Sequence, residues 1–444
     1  MGLKNFKNAT LYTLLMLVMG TFLSPHPSFS KTKVYLDIES PYFKRLPIAI
    51  PDFFEIGSSE GGSSIKKEIS AVIRDDLTIS GYFNVIKEEA YIDKPNSPLY
   101  YQHLNFSNWA IIGAEGLIIG NFTISGNFFV LEARLYDVIE NKLVLGKRYI
   151  GEKSKLRITL HKFADDVIEE ITGEKGIFSS KIAFVTTENE NTELYVIDVD
   201  GYGLKRVTYH NSIILSPHWT PDGTVIGFIS YKTGRPEAYV KNINSGNEAM
   251  LPPSGMKSSI VWSPQNDRLL LTISESGNSD IFLADTEGQI IRNLTNKWGI
   301  DVSPSFSPDG SEIVFVSDRS GNPNLYTMKI HGGSVRRLTY DGDYNASPAW
   351  SPKGDKIAYV SLKRGKFDIY TISPKGTEKK RLTYGTYSNE HPSWSPDGRY
   401  IVFTSKRDNA YKIYVMRANG ENLRLLVSID GNNAKTPSWS PYLQ

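Results

Sequence analysis

The 444-residue chain has no cysteine, which rules out disulfides, thiolate metal sites and a lipid-modified cysteine at a leader cleavage site together. It also lacks a charge bias. Fifty basic side chains face 48 acidic ones, and the formal excess of +2 equals Lys4 and Lys7, which lie in a stretch, 1 to 30, without an acidic residue. A nucleic-acid binder would carry a basic bias or stripe, so no nucleic-acid partner is expected. Long apolar runs are missing as well. Leu11 to Leu23 is mostly apolar, but it falls short of the roughly 20 residues a membrane-spanning helix needs, and Pro25 and Pro27 follow it. The basic start, the short apolar centre and the small residues of Ser28-Phe29-Ser30 read instead as a secretory signal over 1 to 30, with Lys31 as the mature N-terminus.

What the second half has in quantity is a repeat. The stretch Pro392-Ser393-Trp394-Ser395-Pro396-Asp397-Gly398 recurs in variants whose aromatic position is Trp219, Trp262, Phe306, Trp350, Trp394 and Trp439, at intervals of 43, 44, 44, 44 and 45 residues. A four-stranded propeller blade takes about 40–45 residues. Within the unit at Phe306, Pro308-Asp309-Gly310 supplies a tight turn, Ile313 to Ser317 a strand covered on both faces, Leu325 to Ile330 a third strand and Val335 to Thr339 a fourth. The aromatic anchor is read as a packing residue between adjacent blades. Three strands without an anchor, Ile182 to Thr186, Leu194 to Asp198 and Leu204 to Thr208, precede the first anchor, and the chain stops soon after the last. One blade is therefore expected to be split between the two ends of the array, closing a six-bladed β-propeller over 177 to 444 and removing its exposed edges.

Residues 31 to 175 predict a separate α/β domain. Val34 to Ile38 and Leu46 to Ile50 read as strands. Ile65, Ile69, Val72, Ile73 and Leu77 fall at helical spacing, with Gly81 placed to end the helix. Phe83 to Ile86 is a further strand. Trp109 to Ala114 is either a short helix or a turn. Leu117 to Thr123 and Phe128 to Val138 form a hairpin around Ser125-Gly126-Asn127, Leu143 to Tyr149 adds a strand, and a last helix over Leu156 to Ile171 ends at Gly173.

Three patterns invite chemistry, and each has a plainer reading. Gly57-Ser58-Ser59-Glu60-Gly61 fits a nucleophile-elbow spacing, but the stretch is long and polar, which suits a loop better than a strained turn. His218 and His391 flank repeat prolines and could face the propeller axis as metal ligands. No third histidine stands at a matching position, so structural histidines are expected, and His103, His161, His210 and His331 show no ligand spacing. Asp-Gly pairs at 200, 222, 309, 341 and 397 lack the alternating carboxylates of a calcium loop, and turn chemistry accounts for them. No cofactor, metal or catalytic residue is expected. The segments entering each innermost strand vary: Leu215-Ser216, Lys257-Ser258, Asp301-Val302-Ser303, Asn345-Ala346-Ser347, Asn389-Glu390-His391 and Asn433-Ala434-Lys435. Six such loops at one mouth suit recognition of a peptide or protein segment.

The order of leader, small α/β domain and six repeats closing at Trp439-Ser440-Pro441-Tyr442-Leu443 resembles the TolB family of the Tol-Pal envelope system of Gram-negative bacteria. The resemblance extends to Pro47-Ile48-Ala49-Ile50-Pro51-Asp52-Phe53, Asp75-Asp76-Leu77, Ser80-Gly81-Tyr82-Phe83, Gly173-Glu174-Lys175-Gly176 and Asp200-Gly201-Tyr202. Phe306 in place of Trp, and Gln265-Asn266-Asp267 after Trp262, depart from the pattern only locally. The resemblance implies a monomeric, non-catalytic periplasmic adaptor, peripheral to the membrane through its partners. It implies binding of Pal, an outer-membrane lipoprotein anchored to peptidoglycan, at the propeller funnel through Asp301, Asn345, Asn389, Glu390 and His391. It also implies binding of TolA of the inner-membrane complex through Lys31 to Ser40, including Lys33, Val34, Leu36 and Ile38. Such a protein supports outer-membrane integrity and constriction at division. A secreted propeller enzyme of the polysaccharide-lyase kind, or a propeller gating a peptidase, are the rival readings.

Overall fold

The computed structural model describes residues 44–57, 62–93, 104–188 and 190–443. The leader, the strand expected over Val34 to Ile38, the segment from Lys31 to Ser40 and Ser59 lie outside the described residues.

The first part is a mixed sheet under helices. In chain order it runs β1 (Leu46–Ala49), β2 (Phe54–Glu55), α1 (Gly62–Ser80), β3 (Phe83–Val85), α2 (Phe106–Ile111), β4 (Gly116–Ser125), β5 (Phe128–Asp137), β6 (Lys142–Glu152) and α3 (Leu156–Thr172). Sheet order is β3-β1-β4-β5-β6, with β2 also pairing β4. β1 is parallel to β3 and β4, because α1 carries the chain back across the sheet, while β4, β5 and β6 form an antiparallel meander. The helical spacing read from the sequence is the buried face of α1: Ile65, Ile69, Val72, Ile73 and Leu77 are all covered, and Leu160, Phe163, Ala164 and Val167 do the same for α3. Gly81 and Gly173 follow the two helices with left-handed φ of 75° each, the geometry in which a side chain would be strained. The ambiguous stretch at Trp109 resolves as α2, capped by the Asn105 side chain, which accepts from the Ser107 amide.

Six four-stranded antiparallel sheets follow, and the sixth joins Ala434–Trp439 to Lys181–Glu188, Asn191–Asp198 and Lys205–Arg206. The split blade is therefore formed as expected, in the register Trp439 to Ile182 and Ala434 to Thr186. Outermost strands are shorter than the sequence suggested, Arg336–Arg337 where Val335 to Thr339 was read. Each anchor works between blades. Trp219 Nε1 donates to the Ser438 carbonyl (3.1 Å) and Trp394 Nε1 to that of Ala349 (2.9 Å). Trp439 Nε1 reaches Ser180 Oγ (2.9 Å), and its amide donates to Ser393 Oγ (3.0 Å), so a single residue ties three parts of the ring together. The turn after the anchor has a repeated lock: Ser307 and Ser395 hydroxyls donate to Asp309 and Asp397, whose carboxylates also accept the amides of Ser311 and Arg399.

Candidate binding face of the propeller

Because blade strands alternate in direction, the start of every innermost strand and the end of every outermost strand share one mouth of the ring. Innermost strands are bulged there. Ser216, Ser303, Ser347, His391 and Thr436 have left-handed φ between 48° and 54°, each followed by proline, and the strand register shifts at each. The second blade has Ile260 in place of that proline, and its bulge needs no left-handed residue.

Two residues before each of these bulge positions, a side chain is turned into the blade. Asp301 is buried and accepts from the Arg319 guanidinium at 2.9 Å. Asn345 Nδ2 donates to Asn324 Oδ1 at 3.1 Å, Asn389 Oδ1 accepts from the Ser405 hydroxyl at 2.8 Å, and Lys257 pairs with Glu237 at 2.9 Å. Three of the five expected funnel residues, Asp301, Asn345 and Asn389, thus have their side chains spent on holding the blades. Glu390 and His391 are half-buried beside them, and burial keeps the His391 imidazole below its ordinary pKa.

Exposed groups at this mouth are aromatic. Trp298 is 86% exposed and Tyr340 is 74% exposed, with Tyr209, Tyr384, Met256 and Ile300 also open to solvent. The tyrosines are held in place by a tetrapeptide that recurs as Arg206-Val207-Thr208-Tyr209, Arg337-Leu338-Thr339-Tyr340 and Arg381-Leu382-Thr383-Tyr384. In each, the arginine stacks on the tyrosine, at 4.4, 5.0 and 4.8 Å from the ring centre. The threonine hydroxyl accepts a backbone amide of the neighbouring strand at 2.9 Å, from Leu194, Leu325 and Ile369 in turn, and donates to Glu193, Asn324 or Asp368. Arg206 and Arg381 pair with Glu193 and Asp368. An exposed ring on so braced a base loses little entropy when a partner covers it. Sequence reading fixed on the segments before the anchors and passed over this tetrapeptide, whose recurrence was the available signal.

Farther along the axis, anchors and prolines line a cavity of about 570 Å³, flanked by Pro217, Pro304, Pro348, Pro392 and Pro437. His218 stacks on Trp262 and bonds the Trp219 carbonyl through Nδ1 at 3.0 Å, and burial pushes its pKa down to about 4. Neither His218 nor His391 belongs to a cluster of three or more metal-ligating groups among the described residues. The one such trio there is Asp76, His161 and Asp200, at the opposite end of the ring, where Arg157 already holds the Asp200 carboxylate. His161, without ligand spacing in sequence, and Asp200, read as a turn residue and as part of the family resemblance, are thereby brought together with α1. Asp200 does cap its turn, accepting the Tyr202 amide at 3.0 Å.

Around that trio runs a seam between the α/β part and the propeller. The Tyr400 hydroxyl donates to the Ser80 carbonyl (2.8 Å), Arg399 pairs with Glu174 and lies over the Tyr82 ring, and Arg157 lies over the Tyr202 ring at 4.0 Å. Asp165 of α3 accepts the amides of Phe178 and Ser179, fixing the chain as it crosses. No helix among the described residues is long and apolar enough to cross a membrane.

Residues 168–443 match a family model described as the TolB beta propeller domain, and residues 34–144 one described as the TolB amino-terminal domain. A Tol-Pal system protein TolB of Desulfosudis oleivorans is 37% identical over 266 residues, 60% of this chain and 61% of that protein. A protein TolB homolog of Chlorobium chlorochromatii is 34% identical over 293 residues, 66% of each chain. The chain thus spans about three fifths of the length of the curated relatives it matches. The crystal structure of TolB from Acinetobacter baumannii superposes with a TM-score of 0.77 at 28% identity, covering 90% of this chain and 97% of that one. A chain of a nidogen/laminin complex, 12% identical with a TM-score of 0.51, shares the fold alone.

Proposed function

Because this chain belongs to the TolB family and is a homologue of Tol-Pal system proteins, we propose that it is a non-catalytic periplasmic adaptor that binds Pal at the open propeller mouth. The supporting observation is the set of arginine-braced tyrosines together with the exposed ring of Trp298: large, solvent-facing rings of the kind that dominate protein interfaces. In this reading Glu390 and His391 add polar contacts from the mouth, while Asp301, Asn345 and Asn389 keep the blades that carry the rings in register. TolA is engaged through Lys31, Lys33, Val34, Leu36 and Ile38, a role that rests on the family resemblance. Together the two contacts serve outer-membrane integrity and constriction at division, with the adaptor a monomer held to the membranes by its partners.

The test is titration of the mature chain with soluble Pal by calorimetry. Replacing a hot-spot ring with alanine costs about 2 kcal/mol, roughly 30-fold in affinity. Trp298→Ala and Tyr340→Ala are each expected to weaken Pal binding to that extent while leaving thermal unfolding unchanged. Affinity within twofold of the parent in both variants places Pal elsewhere. In this reading Pal occupancy of the mouth also alters TolA affinity at the N-terminal segment, and a second titration, of TolA with and without saturating Pal, tests that coupling: equal affinities refute it.

A further inference from the structure

The seam contains a titratable cluster that the adaptor reading leaves unused. Asp76 comes from α1, His161 from α3 and Asp200 from the propeller turn between Asn191–Asp198 and Lys205–Arg206. His161 Nδ1 lies 2.7 Å from Asp76 Oδ2, and Nε2 lies 3.6 Å from Asp200 Oδ2. The imidazole therefore bridges a carboxylate on its own side of the seam and one on the other. Asp76 is 0% exposed and His161 1% exposed, and neither Asp76 Oδ1 nor His161 Nε2 has a hydrogen-bond partner. Water does not screen them, and a buried carboxylate without a counter-charge is costly.

Counting charge decides what fills the site. Arg157 pairs with Asp200 and, at 3.8 Å, with Glu68. Of the other charged groups facing the cluster, Asp75 has Arg74 beside it on α1, and Asp198 pairs with Lys181. Asp165 is held by two amides and the Ser179 hydroxyl, and Arg424 donates to the Val199 carbonyl within the field of Asp76 and Asp200. With Asp76 ionised, Asp76, Asp200 and Glu68 against Arg157 and Arg424 sum to one negative charge. A proton on His161 brings the group to neutrality, whereas a divalent ion beside a neutral imidazole would leave it positive and next to a guanidinium.

We propose that Asp76, His161 and Asp200 form a proton-linked latch, in which an imidazolium at His161 holds the α/β part on the propeller and its deprotonation loosens the seam. Burial pushes the Asp76 carboxyl up to about 7, with the His161 hydrogen bond and charge opposing it. Burial lowers the His161 imidazole, but the hydrogen bond and charge of Asp76, with the charges of Asp200 and Asp198, outweigh it and leave the pKa raised. Both shifts have one sign: the docked state binds more protons than the separated parts, whose groups titrate near about 3.9 and about 6.5. The Asp76 share of docking is full below its free value of about 3.9 and the His161 share below about 6.5, and each is lost as pH rises through the raised value.

The experiment is amide hydrogen exchange on the full mature chain between pH 6 and pH 8, expressed as protection factors corrected for the intrinsic pH dependence. The probes are the amides of Gly81 and Tyr82 and those from Val199 to Tyr202. Protection is expected to fall about 10-fold across the interval, within the limit of about 10-fold per pH unit that one proton sets. His161→Gln is expected to flatten the profile, and Asp200→Asn, which leaves α1 and α3 untouched, to move its midpoint to lower pH. Should His161→Gln not fold, the shift in Asp200→Asn decides alone. A flat parent profile, or an unshifted one in Asp200→Asn, overturns the latch. Protection that depends on added zinc or collapses with a chelator overturns it in favour of a metal.

Discussion

At the open mouth, polar side chains are paired inside the propeller, within one blade or between adjacent ones, and aromatic rings stand in solvent. At the seam the arrangement is reversed: rings and carboxylates are covered, and their pairs cross between the propeller and the helices. Thr339 and Asn324 satisfy each other one strand apart beneath an exposed Tyr340, whereas the Tyr400 hydroxyl finds the Ser80 carbonyl across 320 residues. The difference follows from what each end must do. A mouth meeting a partner benefits from a rigid base and an unsatisfied apolar surface, so the loss of freedom on binding is small. A seam with buried charges is held only while each charge has its counterpart, and can be released by altering one.

Both ends depend on closure of the ring, and breaking it carries the largest expected effect. Removing Ala434–Gln444 deletes the innermost strand of the split blade and leaves Lys181–Glu188 as an open edge. No cooperative thermal unfolding of the propeller is expected from that chain. Trp439→Ala, which loses bonds to both Ser180 and Ser393 together with its packing, should cost about 3–5 kcal/mol in chemical denaturation. A truncated chain with the parent's melting profile would sever the link between the two ends.

A smaller effect separates seam from mouth. A Cβ on Gly176 would stand 2.6 Å from the Asp165 Cα and 2.2 Å from its Oδ1, so Gly176→Ala must push the crossing chain away from α3. The expected cost is about 1–3 kcal/mol, the range for overpacking, with Pal affinity unaltered. Loss of Pal binding in step with stability would show that the two ends are not separable.

The ring itself was readable because its determinants are periodic. Six anchors and their turns give blade number, and the missing anchor at one end gives the clasp. Helices α1 and α3 were readable from apolar spacing. What was not readable has two physical causes. Side-chain direction at the mouth depends on a bulge: a left-handed residue at Ser303, Ser347 or His391 breaks strand alternation, so Asp301, Asn345 and Asn389, polar and next to the mouth, turn inward. The Asp76, His161 and Asp200 cluster depends on how helices α1 and α3 meet a turn of the propeller, which no local spacing encodes. The Arg-x-Thr-Tyr repeats were legible, but their meaning required knowing that the outermost strand ends at the mouth.

The finest comparison sets two copies of one turn against each other. Asp309 and Asp397 share the bonds from the serine hydroxyl two residues before and the amide two residues after, Asp309 adding the Ser311 hydroxyl, yet their carboxyls shift in opposite directions. The Ser307 and Ser311 hydroxyls and the Ser311 amide hold Asp309 down to about 2, whereas burial raises Asp397 to about 6 despite the Ser395 hydroxyl and the Arg399 amide, with Glu174 from the seam adding to the rise. For Asp309 the lowered value means that stability is present above the free carboxyl range near about 3.9 and is lost as pH falls through about 2. For Asp397 the raised value means the reverse: its contribution is present below that range and is lost as pH climbs through about 6. Asp309 is open to water, so screening limits its effect to a few tenths of a kcal/mol. Asp309→Asn should therefore lower stability slightly at neutral pH, and Asp397→Asn should leave it equal or raise it, in denaturant titrations at pH 7 and again at pH 5, where the Asp397 effect should shrink. The same sign for both variants at pH 7 would mean that the seam does not reach the turns beneath it, and the contrast between the two ends of the ring would have to be drawn more narrowly around His161.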